Sequence, residues 1–305
     1  MREKSLKLMV TGGNGFVAGS VIEQAPADWE VHALSRTAPP AARRVDHHFH
    51  CLDPQDSGAL ANVFTKVRPH ALIHTAALAD IDYCEAHPTA AQAVNVELVR
   101  ALAGLCAQHR TRLIHCSTDS IFDGEHAPYG EEARPGPVNC YARTKVEAEG
   151  IVRSLEPQSV IARLSLVMGL PLLGAGNSFL PKMLAALRAR RPVDMPAREV
   201  RTPIDVITAG RALLELAAHD FSGTIHLAGS SSLNRFEMGT RLAVHFNLPP
   251  ELIVPTDPSK IAGRAPRPRD VSLKNVRAAT VLRTPMLGLE AALNLITEME
   301  TSHSR

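Results

Sequence analysis

Short apolar runs alternate with longer amphipathic stretches through the first half of the chain. The runs predict strands at residues 6–10, 31–34, 45–50, 71–75 and 112–117. Residues 90–108 carry apolar side chains at i, i+3 and i+4 spacing over several turns, which predicts a helix. Strands that alternate with helices pair in parallel through right-handed crossovers, so that helices cover both faces of the sheet. The pattern therefore predicts an α/β fold with a doubly wound, Rossmann-like parallel sheet.

The pattern changes in the second half. Pro135, Gly136 and Pro137 break the chain, and a helix is expected from residue 138 or 139 to about 155. Prolines then become frequent, and the remaining pattern predicts strands at 159–164 and 223–228 and helices at 178–190, 207–218, 236–246 and 289–299. We expect residues 1–165 to form a dinucleotide-binding domain, to which 200–228 returns. Residues 166–305 are expected to form mainly a smaller, C-terminal substrate-binding lobe.

Composition and charge exclude several classes of partner. Hydrophobic residues make up 45% and charged residues 21% of the 305 residues, as in a globular protein, and the formal net charge is only +2. Such a balance offers no electrostatic footprint for a nucleic acid polymer or an anionic membrane. The first apolar run, of about five residues, is too short for a signal peptide or a membrane span, so a cytoplasmic location is expected.

The number and spacing of the cysteines argue against a fold held together by disulfide bonds or by a bound metal. The five cysteines are odd in number, show no C-x-x-C spacing and do not occur beyond Cys140. We therefore expect neither a disulfide framework nor a metal site.

A glycine-rich segment, VTGGNGFVAGS, follows the first predicted strand and precedes a helical segment. Gly12, Gly15 and Ala18 stand three residues apart, which suits a tight turn, close approach of the backbone to a pyrophosphate, and helix–strand packing. The expected cofactor contacts in this loop are Gly12, Asn14, Gly15, Phe16 and Val17. The alternative is a purely structural turn from strand to helix.

The end of the second predicted strand bears on the choice of cofactor. It carries Ser35 and Arg36 and no carboxylate, which favours the 2′-phosphate of NADP over the free ribose of NAD. Arg36 could instead be a solvated loop residue, with Arg43 and Arg44 as candidates for the same contact. Asp53, after the third strand, could accept a hydrogen bond from the adenine amine or cap the helix that follows.

Tyr141 and Lys145, in NCYARTK, are four residues apart on a predicted helix and therefore share one face. An ammonium beside a phenol would lower the phenol pKa from about 10 and make it a usable acid or base near neutrality. On spacing alone such a pair is common and is usually a feature of an ordinary helix surface. The preceding strand ends at Thr118, however, and ligands of open α/β sheets bind beyond the carboxyl ends of strands.

Together these motifs resemble the extended short-chain dehydrogenase/reductases, and among them the dTDP-4-dehydrorhamnose reductase family of sugar-nucleotide reductases. The matching stretches are VTGGNGFVAG (10–19), HTAA (74–77), AVNVE (93–97), HCSTDSIFDG (115–124) and PVNCYARTK (137–145), with looser matches at RTPIDV (201–206) and GTIHLAG (223–229). The resemblance covers residues 6–230 and is weak in the tail.

The resemblance implies a reductase that transfers hydride from NADP, or alternatively NAD, to a ketone, namely the 4-keto group of a nucleotide-linked deoxysugar. It implies Thr118 as the hydroxyl that binds the substrate carbonyl and Tyr141 as the proton donor. Lys145 would bind the nicotinamide ribose and tune Tyr141, and Asn95 would support the site. Further cofactor contacts are expected from Leu52, Thr75, Ala76 and Ala77. A small-molecule substrate and a homodimer through surface helices, common among relatives, are also implied.

Candidates for substrate contacts are Asp119, Ser120, Asn177 and Arg201. Asn177 could contact a substrate diphosphate or simply begin the helix predicted at 178–190. Arg163, Arg201 and Arg267 could bind phosphate or form ordinary ion pairs.

Rival activities differ at a few positions. Sugar-nucleotide dehydratases, which the chain also resembles, end the strand in Thr-Asp-Glu, and Ser120 here cannot be the carboxylate base. Dehydration is therefore not expected. Two alternatives stay open: a nucleotide-sugar epimerase, which needs the same Thr, Tyr and Lys, and a non-catalytic NADP-binding regulatory subunit like that of methionine adenosyltransferase, which resembles the same family.

Overall fold

A computed structural model describes residues 6–38, 47–53, 55–173, 178–257 and 263–303. Its strands are β1 (Lys7–Thr11), β2 (Glu30–Ser35), β3 (His48–Cys51), β4 (Ala71–His74), β5 (Arg112–Thr118), β6 (Val160–Leu164), β7 (Val167–Met168), β8 (Val193–Pro196), β9 (Val200–Arg201), β10 (Ile204–Asp205), β11 (Gly223–Leu227), β12 (Leu233–Asn234) and β13 (Ile253–Thr256). Its helices are α1 (Phe16–Glu23), α2 (Ser57–Val67), α3 (Ile81–Ala86), α4 (Pro88–Gln92), α5 (Leu98–His109), α6 (Cys140–Leu155), α7 (Phe179–Arg188), α8 (Val206–Ala218), α9 (Arg235–His245), α10 (Val276–Val281) and α11 (Leu289–His303). A π-helical segment, Ala93–Glu97, joins α4 to α5, and 3-10 turns lie at Asp119–Ile121 and Pro250–Leu252.

Seven strands form one parallel sheet in the order β3-β2-β1-β4-β5-β6-β11. The order reverses at β1, which pairs with β2 on one side and with β4 on the other. All seven carboxyl ends therefore lie along one edge, where the reversal opens a crevice. The doubly wound α/β fold predicted from the sequence is confirmed.

Helices bury both faces of this sheet, as alternate residues of β1 illustrate. Val10 packs in one cluster with Val21 of α1 and Leu213 of α8. Met9, its neighbour, packs on the opposite face with Leu102 of α5. Since successive strand side chains point to opposite faces, a strand covered on both sides must be apolar throughout, and this explains the short uninterrupted runs in the sequence.

Residues from far along the chain complete the sheet and one of its covers. The α8 helix packs closely on α1: the Ser20 hydroxyl donates to the Val206 carbonyl at 2.6 Å, and Gln24 Nε2 donates to the Ile207 carbonyl at 3.1 Å. A Cβ atom on Gly210 would lie 2.5 Å from Ser20 Oγ, so this contact requires glycine. The β11 strand then pairs with β6 at the sheet edge.

Most predicted elements are observed with bounds within two residues of those expected. The helix predicted from 138 or 139 is α6, and Asn139 caps it by accepting a hydrogen bond from the Ala142 amide. The predicted strand 45–50 corresponds to β3, and residues 45 and 46 lie outside the described residues. The helix predicted at 90–108 is interrupted by the π-helical segment Ala93–Glu97.

A second apolar core lies in the C-terminal part of the chain. Leu184 of α7, Leu242 of α9 and Leu293 of α11 are buried in it. The short parallel pair β8–β13 borders this core, although neither strand was predicted. The chain then runs back towards the central sheet, where Leu273 pairs with Tyr129. This return brings C-terminal residues over the carboxyl edge of the sheet.

One helical stretch, residues 88–109, is long and apolar enough to cross a membrane by length and composition alone. Its apolar side, however, is buried against the central sheet, where Val99, Leu102 and Cys106 belong to the core. This is the packing of a core helix in an α/β fold.

Candidate active site

The turn between β1 and α1 brings two backbone segments into close contact. Gly12 has a φ of +73°, and a Cβ atom there would lie 3.1 Å from the Cα atom of Ala76. A Cβ atom on Gly15 would lie 2.9 Å from the Gly12 carbonyl oxygen. Within this fully described loop no side chain caps α1, so the amides of its first turn are available to an anion. Phe16 and Val17 were also predicted to contact the cofactor. Val17 lines a cavity at the carboxyl edge of the sheet, whereas Phe16 packs into the C-terminal core.

Asn14 ties the glycine loop to the end of β2. Its Nδ2 donates to Ser35 Oγ at 2.9 Å and to the Thr37 carbonyl at 3.0 Å. Arg36 is exposed between these two partners. The Leu52 amide donates to the Ser35 carbonyl at 3.0 Å, which holds the segment after β3 beside the same turn. Polar groups from the glycine loop and from the ends of β2 and β3 therefore lie close together.

Asp53 does not cap the helix that follows it. The cap of α2 is Asp56, whose Oδ1 accepts a hydrogen bond from the Ala59 amide at 3.0 Å. Asp53 is exposed and accepts a hydrogen bond from the Gln55 amide at 3.0 Å. Of the two functions considered from the sequence, helix capping is therefore wrong for Asp53.

The segment after β4 forms one wall of the site. Thr75 Oγ1 donates to the Thr11 carbonyl at 2.7 Å, and Thr75 and Ala77 line the cavity. Asn95, buried in the π-helical segment, accepts a hydrogen bond from the Leu78 amide at 2.8 Å. Its Nδ2 donates to Thr144 Oγ1 on α6 at 3.1 Å. Asn95 thus fastens this wall to the helix that carries Tyr141 and Lys145.

Thr118 is the last residue of β5, and its side chain begins a buried polar network. Its hydroxyl accepts from the Ser120 amide at 3.2 Å and donates to Asp119 Oδ1 at 3.3 Å. Burial raises the pKa of Asp119, and the guanidinium of Arg201, 3.8 Å from Asp119 Oδ2, opposes that rise. The Ser165 hydroxyl also donates to Asp119 Oδ2, at 3.1 Å.

Tyr141 lies in the first turn of α6 and is 9% exposed. Burial raises the pKa of Tyr141; a hydrogen bond with Thr118 opposes the rise, and the nearby Asp119 adds to it. The phenol therefore holds its proton at neutral pH. This is the opposite of the lowering expected from a lysine at i+4, because the loss of hydration outweighs nearby favourable interactions.

Lys145 is 2% exposed and points back towards β5. Its Nζ donates to the Cys116 carbonyl at 2.7 Å and lies 3.5 Å from His115 Nε2. Burial lowers the pKa of Lys145 to about 8. The ring of His115 stacks on that of His74, and burial lowers the pKa of His74 to about 3, so both rings are neutral beneath the ammonium.

An ion pair behind the site holds α6 to the sheet. Arg163 of β6 donates to both carboxylate oxygens of Glu149, at 2.9 Å each, and both side chains are buried. The Ser117 hydroxyl donates to the same carboxylate at 2.6 Å. Arg163 therefore forms a structural ion pair and does not line the cavity.

These residues surround a cavity of about 570 Å³ at the carboxyl edge of the sheet. The structure brings together ten of the candidate site residues in its lining: Val17, Thr75, Ala77, Thr118, Asp119, Ser120, Tyr141, Lys145, Arg201 and Arg267. Other predicted residues lie outside this lining, either in the glycine loop or at the ends of β2 and β3: Gly12, Asn14, Gly15, Ser35, Arg36, Leu52 and Asp53. Asn177 lies outside the described residues.

Arginines from the C-terminal half line the opposite wall of the cavity. Arg267 pairs with both oxygens of Asp82, at 2.6 and 2.7 Å, and Arg264 pairs with Glu199 at 2.6 Å. Arg235 differs: its guanidinium stacks on Phe179 at 4.8 Å, and its buried Nε has no hydrogen-bond partner among the described residues.

Burial lowers the pKa of Arg235 to about 10, which still leaves it charged at neutral pH. Arg235 was not predicted from the sequence. The only local signal is the Asn234 cap that begins α9, and a helix start does not reveal which cavity the next side chain enters.

A doubly wound sheet, a glycine turn after its first strand, and a Tyr/Lys pair on the helix that follows β5 define the class of extended short-chain dehydrogenase/reductases. The family model of the RmlD substrate binding domain matches residues 6–301. The chain belongs to this family, which confirms the resemblance inferred from the motifs.

Some similar proteins are named as reductases, and others as a subunit of methionine adenosyltransferase. The chain is 32% identical to a dTDP-4-dehydrorhamnose reductase of Sinorhizobium fredii over 74% of this chain and 73% of that protein. It is 30% identical to the beta subunit of methionine adenosyltransferase 2 of Bos taurus, over 94% of this chain and 87% of that protein. The fold superposes on a dTDP-4-dehydrorhamnose reductase from Bacillus anthracis in complex with NADP, with a TM-score of 0.86, 22% identity, and 97% and 99% of the two chains covered.

Proposed function

We propose that this protein is an NADP-dependent reductase that transfers hydride to a ketone, the 4-keto group of a nucleotide-linked deoxysugar. One observation carries the proposal. The side chains of Thr118, Tyr141 and Lys145 line a single cavity at the carboxyl edge of the sheet, next to the glycine turn. The names of reductase relatives support the same class of substrate.

The residues present fit a dinucleotide. Gly12 and Gly15 leave no room for a Cβ atom, and α1 starts without a side-chain cap, which suits a pyrophosphate at the helix N-terminus. Ser35 ends β2 and the exposed Arg36 follows it, with no carboxylate in residues 31–38, which suits the 2′-phosphate of NADP. Thr75, Ala76 and Ala77 would border the cofactor on the side of β4.

The bound cofactor would supply hydride to the ketone carbon, and the protein would supply the proton. Because burial raises its pKa, the Tyr141 phenol is protonated at neutral pH and can donate to the developing alkoxide. The Thr118 hydroxyl would donate a second hydrogen bond to the same oxygen. Lys145, held by the Cys116 carbonyl, would present its ammonium to the nicotinamide ribose.

The anionic part of the substrate has a candidate partner on the opposite wall. Arg235 is half-buried, and its fully buried Nε has no hydrogen-bond partner among the described residues. A buried N–H donor of this kind favours a ligand with acceptor oxygens, because a buried donor without a hydrogen bond costs free energy. We infer that Arg235 contacts a diphosphate. Arg201, Arg264 and Arg267 are already paired with acidic residues, namely Asp119, Glu199 and Asp82.

The test of the proton donor is a Tyr141→Phe variant. It should retain NADPH binding and lose about 10²–10⁴-fold in the rate of NADPH oxidation, the usual contribution of general-acid assistance. Tyr83→Phe is the matched control, because Tyr83 is exposed on α3, and it should keep the wild-type rate. Full activity in Tyr141→Phe with any nucleotide-linked 4-keto sugar that the wild type reduces would show that the proton comes from elsewhere.

A second candidate is a non-catalytic NADP-binding subunit. The observation that favours it is coverage: relatives named as the beta subunit of methionine adenosyltransferase 2 align with up to 95% of this chain, and reductase relatives with 72–76%. Incubation with NADPH and a panel of nucleotide-linked 4-keto sugars separates the two. Tight NADPH binding without oxidation, together with a stable complex with a catalytic methionine adenosyltransferase chain on size exclusion, would favour the subunit.

A further inference from the structure

A group of histidines lies at the sheet edge formed by β2 and β3, apart from the cavity. Glu30 and His32 belong to β2, and His48 and His50 belong to β3. The strands are parallel and His32 lies directly opposite His48 in the register. Since alternate residues of a strand share a face, all four side chains emerge on the same side of the sheet. The rings of His32 and His48 stack with centroids 4.7 Å apart.

Three of these side chains converge. One ligand atom each from Glu30, His32 and His48 lies within 4.8 Å of the others. A tetrahedral Zn²⁺ ion with bonds of about 2.0–2.2 Å to nitrogen and oxygen holds its ligand atoms about 3.4 Å apart. His48 is exposed and Glu30 is half-buried, so small side-chain rotations can close the difference while the buried His32 stays in position.

We propose that Glu30, His32 and His48 form a binding site for a divalent transition metal of the Zn²⁺, Co²⁺ or Ni²⁺ class, with water in the fourth position. Imidazole nitrogens with one carboxylate select these borderline ions over Mg²⁺ and Ca²⁺, which prefer all-oxygen ligands. The absence of a cysteine motif says nothing against this site, because its ligands come from two strands and not from one local run.

The surrounding hydrogen bonds already orient the central ligand. His32 Nε2 lies 2.9 Å from Glu30 Oε1, whereas His32 Nδ1 lies 3.0 Å from His50 Nε2. The nitrogen that faces Glu30 is therefore the one that meets the metal, and the other can donate to His50. A ligating histidine almost always donates its second N–H to a partner that fixes its tautomer and ring orientation. His50 is thus a positioning residue.

Lys7 competes for the carboxylate. Its Nζ lies 3.4 Å from Glu30 Oε2, and the Lys7 side chain is 36% exposed, so it can turn into solvent when a cation binds. A metal at this site would tie the edge strand β3 to β2. It would not touch the cavity, so the site stands whether or not the proposed reductase activity is confirmed.

The experiment is titration of the tag-free, metal-stripped full chain with Co²⁺, followed by displacement with Zn²⁺. We expect one ion per chain, the absorption bands of four-coordinate Co²⁺, and a rise in melting temperature from binding to the native state alone. His50→Ala should weaken binding about 10–100-fold, and His48→Ala or Glu30→Gln at least as much. His126→Ala, at an exposed histidine elsewhere, should bind like the wild type.

His48 is exposed, so His48→Ala should melt like the wild type without metal, which separates loss of a ligand from loss of folding. Absence of saturable binding by the wild type would overturn the proposal. Binding that His48→Ala and Glu30→Gln leave unchanged, or that His126→Ala weakens equally, would do the same.

Discussion

Tyr141 and Lys145 lie on one face of α6, and burial favours the neutral form of each side chain. Burial raises the pKa of the phenol and lowers that of the ammonium to about 8. The lysine binds the Cys116 carbonyl, so it acts on the cavity from the strand side. Spacing in the sequence could predict that the two residues share a face. It could not predict the direction of the shift for Tyr141, because burial depends on residues distant in sequence.

The lysine pKa leads to a prediction about pH. Lys145 is charged below about pH 8 and neutral above it, so NADPH affinity should fall as pH rises through 8, by up to about tenfold per pH unit for a single ionisation. Lys145→Met should bind NADPH more weakly and lack this dependence. Fluorescence titration from pH 7 to pH 9.5 measures it, with the exposed Lys66→Met as control. A wild-type affinity that stays level over this range would contradict the prediction.

At the scale of elements, α6 depends on a buried charge pair for its position. Glu149 on the helix binds Arg163 of β6 and Ser117 of β5, so a single carboxylate joins three elements behind the site. Burial alone would raise the pKa of Glu149, but the hydrogen bonds and charge of Arg163 outweigh it, and the pKa is lowered. Its contribution to stability is therefore present above the ordinary glutamate range and lost as pH falls through the lowered value.

Glu149→Gln should destabilise the protein strongly, since it leaves the guanidinium of Arg163 buried without its counter-charge. The expected loss is about 3–5 kcal/mol in the free energy of unfolding. Urea denaturation at pH 7 measures it, and Glu147→Gln, an exposed change on the same helix, should cost less than about 0.5 kcal/mol. Equal midpoints for the two variants would mean that the pair does not hold α6.

The elements that the sequence predicted well are those with strong local patterns. Strands β1, β4 and β5 are buried on both faces, and their apolar runs are short and sharply bounded. The π-helical segment Ala93–Glu97 was not predicted, because its apolar spacing continues that of the flanking helix. Its one extra residue per turn matters all the same, since Asn95 lies within it and fastens the cavity wall to α6.

At the scale of the whole molecule, the cavity lies between the sheet edge and residues from the C-terminal half. Segments around Glu199, Arg235 and Arg264 meet Thr118 and Tyr141 there although they are far apart in sequence. A linear pattern marks a glycine loop because all its parts are local. The opposite wall carries no such pattern, so Arg235 could not be found before the fold was known.

Cofactor preference should appear in the stability of the entire fold. A ligand that binds only the native state raises the melting temperature, by an amount worth about 2.7 kcal/mol at 100 times its Kd. NADPH should raise it more than NADH, and Arg36→Ala should remove the difference because the exposed guanidinium would no longer meet the 2′-phosphate. Arg100→Ala, an exposed change on α5, is the control. An equal shift by both cofactors in the wild type would exclude the assignment to Arg36.

The closure of the sheet by α8 and β11 has a consequence for how the protein is made. The Ser20 hydroxyl can donate to the Val206 carbonyl only after α8 has been synthesised. Likewise, the edge of β6 can pair only after Gly223–Leu227 has been synthesised. During synthesis, the nascent chain therefore carries an uncovered α1 surface and an unpaired strand edge until residue 227 has left the ribosome. A fragment that stops at residue 165 would keep both surfaces open, and the cell would have to shield them from other chains.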